Sequence, residues 1–311
     1  MVIPATLEVT SNLSSTAVGE TFKLLVVEDR RHDREALADI LKDESYDIHF
    51  ASTGVEAMEF LYGCSDHLLV VLDIQLPDTN GTELCPQIIK AFDPLVAYII
   101  FWSADHTMET QQAAIGAGGN LFITKPTQPW ELVLHLRSAA NTIRAIRRAT
   151  ADQKTGLPSQ LIFEAAASRM LYATRKTKDS VGVICLDIDH FKEVNDTYGH
   201  QIGDQVLRIV ADRVKHSLRP EDILSRNGRG DEMTAILPYA YNDGTHLAAM
   251  RIWQAVRSSP LVFGEIKIAV TVSVGYTVEN SGTVNELEQL ADKRLYRAKT
   301  EGGRDCVWPH L

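Results

Sequence analysis

The sequence predicts an α/β domain followed by an α+β domain, and three observations lead to this fold class. The chain has 311 residues, which is more than one typical domain needs. In the first half, short apolar runs alternate with helical patterns, which is typical of a parallel sheet with helices on both faces. In the second half, a hairpin of two consecutive strands interrupts this alternation. Such an order indicates an α+β sheet of the ferredoxin-like kind, with helices on one face.

The composition is that of a globular protein without general affinity for polyanions. Apolar residues make up 45% of the chain and charged residues 23%, as in ordinary globular domains. A formal net charge of -10 argues against nucleic acid or an anionic membrane surface as a partner. The longest apolar run, residues 95–102, is too short for membrane insertion. The four cysteines lack metal-ligand spacing, so we expect a reduced, cytoplasmic protein. Residues 1–21 do not resemble a signal peptide and are expected to form a mobile tail.

Four apolar runs are the predicted strands of the first domain, residues 22–130. They are Phe22–Val27, Leu68–Leu72, 96–102 and 120–124, with helical patterns between them such as 33–41 and 55–61. The carboxyl ends of parallel strands meet at one edge of a sheet. The polar side chains expected at that edge are Glu28, Asp29, Asp73, Ser103 and Lys125. Three carboxylates repel one another unless a cation neutralises them, so Mg²⁺ is implied. A hydroxyl and an ammonium beside them suit a phosphoryl group on one acid.

The segment contains the motifs LLVVED, VVLDIQLPDTNG, FWSAD and LFITKP. With them, it resembles the receiver domain of two-component response regulators. The resemblance implies a flavodoxin-like, doubly wound parallel sheet and a cognate sensor histidine kinase as partner. It makes Asp73 the phosphoacceptor, with Glu28, Asp29 and Asp73 as Mg²⁺ ligands. It also implies that the switch residues are Ser103, Phe122 and Lys125.

Residues 131–151 are predicted to form a connector helix. Apolar or small residues at Leu132, Leu136, Ala139, Ile143 and Ile146 follow a heptad spacing. The spacing fits either a last helix packed on its own sheet or a coiled coil. Beyond about residue 140 we expect the helix to extend past the domain, so that only a partner helix can bury Ile143 and Ile146. The sequence therefore favours a homodimer through the receiver and the connector helix.

In the second domain, residues 152–311, the pattern predicts helices near 159–176, 244–258 and 286–299, and a long helix ending near residue 218. Strands are predicted at 181–186, on both sides of a hairpin near residue 230, and at 266–275. Asp187 ends one central strand, while Asp231 and Glu232 open the hairpin strand beside it. Adjacent acids at such a turn are commonly only an acidic loop. Two carboxylates on neighbouring strand ends, however, make a site for one or two Mg²⁺ ions that can support attack on a phosphate.

The pieces DQKTGLP, LDIDHFKEVNDTYGHQIGDQVL, RPEDILSR, RGDEM, TVSVGY and DKRLYRAK resemble the GGDEF family of diguanylate cyclases over residues 152–308. The resemblance implies condensation of two GTP molecules into cyclic di-GMP across a dimer. Asp187 and Asp231 would ligate Mg²⁺ with help from the Ile188 carbonyl, and Glu232 would be a further ligand or would help to activate the 3′-hydroxyl.

The resemblance also assigns the nucleotide contacts and a regulatory site. Asn195 and Asp204 would read the guanine edge. The implied phosphate contacts are Phe191, Lys192, Lys299 and Arg304. The implied inhibitory, product-binding site consists of the RxxD residues Arg219 and Asp222, with Arg251 as partner.

Two departures from the family pattern bear on activity. The segment from Arg226 to Asp231 carries one extra residue, and Arg229 stands where the first signature glycine belongs. Glycine there permits unusual dihedrals and close approach to phosphate, and arginine restricts both. The segment from Lys299 to Arg304 also carries an extra residue, which shifts the arginine unless the turn absorbs it. The favoured function is a phosphorylation-controlled diguanylate cyclase. The alternative is an inactive response regulator that binds cyclic di-GMP or GTP as a receptor, and a scaffold is a third possibility.

Overall fold

The computed structural model describes residues 21–64, 66–93, 95–228 and 230–309. The predicted tail up to residue 20, and Arg229, on which the sequence argument about activity depends, lie outside the described residues.

The first domain is a parallel five-stranded sheet with helices on both faces, as predicted. Its strand order is β2-β1-β3-β4-β5, and apolar clusters fill both sides of the sheet. The edge strand β2 was not predicted, because its apolar residues Tyr46, Ile48 and Phe50 are only half-buried and alternate with polar ones. The elements are β1 Phe22–Val27, α1 Arg31–Leu41, β2 Tyr46–Ala51, α2 Gly54–Tyr62, β3 Leu68–Leu72, α3 Gly81–Phe92, β4 Ala97–Ser103, α4 Met108–Gly116, β5 Leu121–Thr124 and α5 Pro129–Ala149.

Helix α5 packs along its own domain for more of its length than expected. Ile143 is completely buried in the same apolar cluster as Phe22, so the expectation that a partner helix must bury it is wrong. Ile143 is buried because Phe22, the first residue of β1, packs against the last turns of α5. The guanidinium groups of Arg144 and Arg147 lie 4.6 and 4.9 Å from the centre of the Phe22 ring. Ile146 remains half-buried.

The second domain has a central five-stranded sheet in the order β12-β11-β6-β8-β7, with β6 antiparallel to both of its neighbours. This confirms the α+β class. The elements are α6 Gln160–Thr177, β6 Val181–Ile188, α7 Phe191–Tyr198, α8 His200–His216, β7 Ile223–Arg226, β8 Glu232–Leu237, α9 Asn242–Arg257, β9 Leu261–Phe263, β10 Ile266–Ile268, β11 Val272–Glu279, α10 Val284–Thr300 and β12 Val307–Trp308.

Helices cover both faces of this sheet, so the expectation of one covered face is wrong. The cluster on one side includes Ile184 and Leu186 with residues of α8 and α9, and the cluster on the other includes Val183 and Cys185 with residues of α6 and α10. The physical reason lies in β6. Its side chains alternate between faces and are apolar on both, so both sides need cover.

One predicted strand is divided in the structure, and one short helix was not predicted. The single strand expected at 266–275 is β10 and β11. Between them, Thr271 accepts a hydrogen bond at its carbonyl from the Asp189 amide (3.0 Å) and donates its hydroxyl to the Asp189 carboxylate (2.8 Å). The long helix expected to end near residue 218 is α8. The short helix α7 before it was not predicted, and the two separate at Gly199, where φ is 82°, a conformation that favours glycine.

Helix α6 of the second domain also contacts the first domain. Its Ile162 and Ala166 belong to an apolar cluster formed mainly by first-domain residues. The Arg169 guanidinium lies 4.4 Å from the centre of the Phe92 ring, and the rings of Tyr172 and Tyr62 are 4.7 Å apart. Among the described residues, no helix is both long and apolar enough to cross a membrane.

Candidate functional site

Three acids meet at the carboxyl edge of the first sheet. Glu28, Asp29 and Asp73 each place a carboxylate oxygen within 4.8 Å of the others. Burial raises the pKa of Glu28 to about 7, and the neighbouring Asp73 adds to this shift. Clustered carboxylate oxygens that oppose one another's ionisation fit a hard divalent cation such as Mg²⁺.

Lys125 lies among these acids. Its ammonium donates to Asp73 at 2.9 Å and to Asp33 at 3.0 Å, and it also contacts Glu28. The same ammonium lies 4.4 Å from the centre of the Trp102 ring. Burial opposes its charge, but the hydrogen bonds that it donates to Glu28 and Asp73 prevail and raise the pKa of Lys125. The lysine therefore stays charged beside the carboxylate of Asp73.

The other two predicted switch residues are placed differently. Ser103 ends β4 and is buried, and its hydroxyl oxygen accepts the Asp105 amide at 3.4 Å. Phe122 is in β5, where it is the strand neighbour of Phe101 in β4, and its side chain is half-buried against the core. Ser103 and Phe122 are thus on adjacent strands, and Lys125 directly follows the second.

The acids of the second domain meet at the ends of β6 and β8. Asp187 and Glu232 are directly opposite in the antiparallel pairing, and Asp231 precedes Glu232. Burial raises the pKa of Asp231 to about 6. The negative charge of Asp187 adds to this rise, and the positive charge of Lys299 opposes it. The Lys299 ammonium lies 2.7 Å from Asp187. Ile188, whose carbonyl the resemblance implicates, is the last residue of β6. Carboxylates at adjoining strand ends, with a backbone carbonyl next to them in sequence, are oxygen ligands of the kind that Mg²⁺ prefers.

Gly230, which directly precedes these acids, is held in place by Arg226. This buried guanidinium donates to the Gly230 carbonyl at 2.8 Å and to Asp152 at 3.0 Å. Asn227, which follows Arg226, is joined to β8. Its backbone amide donates to the Glu232 carbonyl at 2.9 Å, and its side-chain amide donates to the Thr234 hydroxyl at 2.8 Å. The described residues on either side of Arg229 are therefore held by hydrogen bonds.

The predicted guanine readers are on successive helices. Asn195 is on α7 and Asp204 is on α8, where its carboxylate lies 2.7 Å from the Lys154 ammonium. Gly203 permits this arrangement, because a Cβ there would lie 1.9 Å from Asn195 Oδ1. Phe191 and Lys192 begin α7, with Phe191 partly packed against the core and Lys192 exposed.

Two of the three predicted regulatory residues border a cleft of about 100 Å³ between the β8–α9 loop and α9. Arg219 and Arg251 both line it, together with Tyr239 and Tyr241. Tyr239 has φ of 54°, a left-handed conformation unfavourable for a residue with a side chain. Asp222 accepts the Arg219 amide at 2.8 Å, and burial raises the pKa of this acid. The cleft thus combines two guanidinium groups with two aromatic rings.

Two protein families match consecutive parts of the chain. Residues 24–137 match the response regulator receiver domain, and residues 149–305 match the family described as diguanylate cyclase, GGDEF domain. The chain is a response regulator of the GGDEF family.

Relatives of this response regulator include enzymes that make cyclic di-GMP and enzymes that degrade it. Response regulator PleD of Caulobacter vibrioides is 31% identical over 210 residues, which cover 62% of this chain and 46% of PleD. Diguanylate cyclase DgcP of Pseudomonas aeruginosa is 32% identical over 51% of this chain and 24% of the relative. Cyclic di-GMP phosphodiesterase PdeR of Escherichia coli is 34% identical over 55% of this chain and 26% of the relative. The matches span less than half the length of each relative.

Two solved structures align with this GGDEF response regulator over 57% of its length. Diguanylate cyclase SiaD of Pseudomonas aeruginosa, in complex with its activator SiaC, aligns over 68% of its own chain with a TM-score of 0.52 and 28% identity. The coiled coil and GGDEF domain of DgcB from Caulobacter crescentus, in complex with c-di-GMP, aligns over 93% of its chain with a TM-score of 0.50 and 31% identity.

Several residues at these sites were missed by the sequence analysis. Asp33 contacts Lys125 from inside α1, and its only signal was an acid in the first helical turn. Trp102 immediately precedes Ser103, but its apolar surroundings indicated only a core residue. Asp189, two residues after Asp187, is buried and accepts from both Thr271 and Ser273. Its position inside the LDIDHF motif was the available signal.

Proposed function

We propose that this response regulator is a diguanylate cyclase controlled by phosphorylation of Asp73. The observation that carries the proposal is the meeting of Asp187, Asp231 and Glu232 at adjoining strand ends, with the Lys299 ammonium 2.7 Å from Asp187. Carboxylates for metal ions and an ammonium for phosphate are the groups that nucleotidyl transfer requires.

In the receiver domain, Asp73 accepts a phosphoryl group from a sensor histidine kinase. Glu28, Asp29 and Asp73 would hold Mg²⁺, which would neutralise the charge gathered at the phosphorylated acid. Lys125 already lies 2.9 Å from Asp73 and is placed to pair with the added phosphate. Ser103 and Phe122, on adjacent strands, shift in response and change the surface through which two copies associate.

In the GGDEF domain, each copy presents one GTP to the other. Asn195 and Asp204 bind the guanine edge, and Asp204 gives up its ion pair with Lys154 when it does so. Lys192, Lys299 and Arg304 hold the phosphates, while Phe191 packs at the start of α7. Asp187, Asp231 and the Ile188 carbonyl would hold Mg²⁺, which would supply Lewis-acid stabilisation of the α-phosphate.

The chemical step forms a bond between the 3′-oxygen of one GTP and the α-phosphorus of the other. The bond from that phosphorus to the oxygen that bridges the α- and β-phosphates breaks, and pyrophosphate leaves. Glu232, opposite Asp187 in the strand pairing, takes the proton of the 3′-hydroxyl. The same step in the opposite direction between the two copies closes the ring.

Product regulates the enzyme at the cleft of Arg219 and Arg251. Two guanidinium groups suit the phosphates and the guanine edges of cyclic di-GMP, and the Tyr239 and Tyr241 rings beside them suit stacking on its bases. Asp222 holds the backbone of Arg219 in place. Product bound there keeps the two GGDEF domains apart and lowers the rate of synthesis.

The decisive experiment is synthesis of cyclic di-GMP by the full chain with GTP and Mg²⁺, before and after treatment with beryllofluoride. We expect product after treatment, and none from Asp231→Asn. Asp73→Asn should remove the response to beryllofluoride while it keeps basal synthesis. The extra residue between Arg226 and Asp231 favours a second candidate, a receptor without turnover. Absence of product, together with cyclic di-GMP binding that Arg219→Ala abolishes, would establish the receptor in place of the enzyme.

A further inference from the structure

The turn after α10 has an unusual backbone at three successive residues. Gly303, Arg304 and Asp305 have φ values of 75°, 70° and 46°. The left-handed region is routine for glycine, but residues with side chains remain there only when their surroundings hold them. Two such residues in succession therefore indicate that something outside the turn fixes its path.

The two glycines before Arg304 differ in their surroundings. A Cβ on Gly302 would lie 2.5 Å from Cys306 Sγ and 2.9 Å from the Ala298 carbonyl, whereas a Cβ on Gly303 would meet nothing within 4 Å. Gly302 is thus a close-packing residue, and Gly303 takes up the additional length as a loose loop. A loose loop by itself does not determine where the next residue lies.

Asp305 supplies the missing attachment. Its carboxylate accepts the indole N–H of Trp253 at 2.9 Å and lies 3.1 Å from the Arg257 guanidinium, and both partners are on α9. Its amide donates to the buried Asp189 at 3.0 Å. Asp189 in turn accepts the Ser273 hydroxyl at 2.6 Å. Since Ser273 pairs with Asp187 across β11 and β6, the turn is joined to the strand that carries this catalytic-site acid.

Arg304 lies between these attachments and Lys299. Its amide donates to the carbonyl of Ala298, the residue before Lys299, at 3.1 Å. Its side chain is exposed, and no hydrogen bond or ion pair joins its guanidinium to any other residue in the described part of the chain. The arginine is therefore fixed at its backbone and available at its side chain.

We propose that Asp305 is a positioning residue, which holds Arg304 beside Lys299 so that both receive the terminal phosphates of the nucleotide. The proposal rests on the phosphate-binding role given to Arg304 above. Asp305 does not touch the nucleotide. It acts by fastening the extended turn to α9 and to the end of β6, and so it compensates for the extra residue.

The test is nucleotide binding by the full chain, measured calorimetrically with Mg²⁺. The ligands are a GTP analogue with a methylene group between its α- and β-phosphorus atoms, which cannot react, and GMP, which lacks the terminal phosphates. Asp305→Ala should weaken binding of the analogue by about tenfold, as for loss of one charge-assisted contact, and should leave GMP binding unchanged. Trp253→Phe removes one N–H donor from the same carboxylate. It should weaken binding of the analogue by a smaller factor and should also leave GMP binding unchanged. Glu301→Ala, at the exposed start of the turn, is the matched control and should change neither.

A double-mutant cycle separates positioning from general damage. In an Arg304→Ala background, Asp305→Ala should cause no further loss of analogue binding. Equal losses for the analogue and GMP, or additive effects of the two substitutions, would overturn the proposal. So would an Arg304→Ala variant that binds the analogue as tightly as the wild type. A wild type that binds the analogue but makes no cyclic di-GMP contradicts the cyclase, while the cycle still decides the role of Asp305.

Discussion

The Lys299 ammonium lies 2.7 Å from a carboxylate oxygen of Asp187. A residue expected to bind phosphate is therefore paired with a residue expected to bind metal. The ammonium neutralises part of the charge that Asp187 and Asp231 bring together, and it opposes the rise in the pKa of Asp231. In the proposed cyclase, binding of Mg²⁺ with GTP would require the lysine to exchange this carboxylate for a phosphate.

Lys299→Gln should separate these two roles. Without a competing ammonium, Mg²⁺ alone should bind the GGDEF domain more tightly, by about fivefold, because an opposite charge in contact with a ligand acid is removed. The GTP analogue described above should bind about tenfold less tightly, because a charged phosphate contact is lost. Calorimetric titrations with each ligand measure both effects. Lys293→Gln, on the exposed side of the same helix, is the control, and a weaker affinity for Mg²⁺ in Lys299→Gln would contradict the exchange.

Gly203→Ala should reduce discrimination between guanine and adenine. A Cβ at this position would lie 1.9 Å from Asn195 Oδ1, so the amide must move. Alanine favours a helix over glycine by about 1 kcal/mol, and the variant should remain folded. We expect the ratio of GTP to ATP affinities to fall by about tenfold, the loss expected for one hydrogen-bonded base contact. Gly116→Ala, where a Cβ meets nothing within 4 Å, is the control. An unchanged ratio would show that Asn195 does not read the base.

The acids whose placement at strand ends was predicted from the sequence share a simple local signal. Glu28, Asp73 and Asp187 each end or follow a buried apolar strand, and strand ends meet regardless of the distance along the chain. Asp33 and Asp305 were not predicted, because each belongs to a helix start or a turn whose partners are fixed only by tertiary packing. Ile143 was interpreted wrongly for a related reason. A heptad spacing specifies an apolar stripe but does not say whether a partner helix or the domain's own Phe22 covers it.

Tyr239→Gly should weaken product binding without unfolding the protein. The tyrosine lines the cleft of Arg219 and Arg251 in a left-handed conformation with φ of 54°. Glycine relieves that strain at an entropic cost of similar size, so the free energy of unfolding should change by less than about 1 kcal/mol. Loss of a stacked ring should reduce affinity for cyclic di-GMP by about tenfold or more. Denaturant unfolding and calorimetry measure the two quantities. Arg219→Ala provides the positive control for loss of binding, and full affinity in Tyr239→Gly would exclude stacking there.

Stabilisation of the chain by Mg²⁺ should increase with pH. Burial, with Asp187 next in effect, raises the pKa of Asp231 from 3.8 to about 6, and burial raises that of Glu28 from 4.5 to about 7. Between the unfolded and folded values the folded state binds more protons, so these acids lower the free energy of unfolding as pH rises through that window. Above about pH 7 both carboxylates are ionised and repel the acids beside them, and bound Mg²⁺ neutralises this negative charge. Below about pH 6, protons compete with the metal for the same carboxylates. Saturating MgCl₂ should therefore raise the midpoint of thermal unfolding by roughly 3 °C more at about pH 7.5 than at about pH 5.5. The Glu28→Gln, Asp231→Asn double variant should lose most of this difference, and equal increments at both pH values in the wild type would refute it.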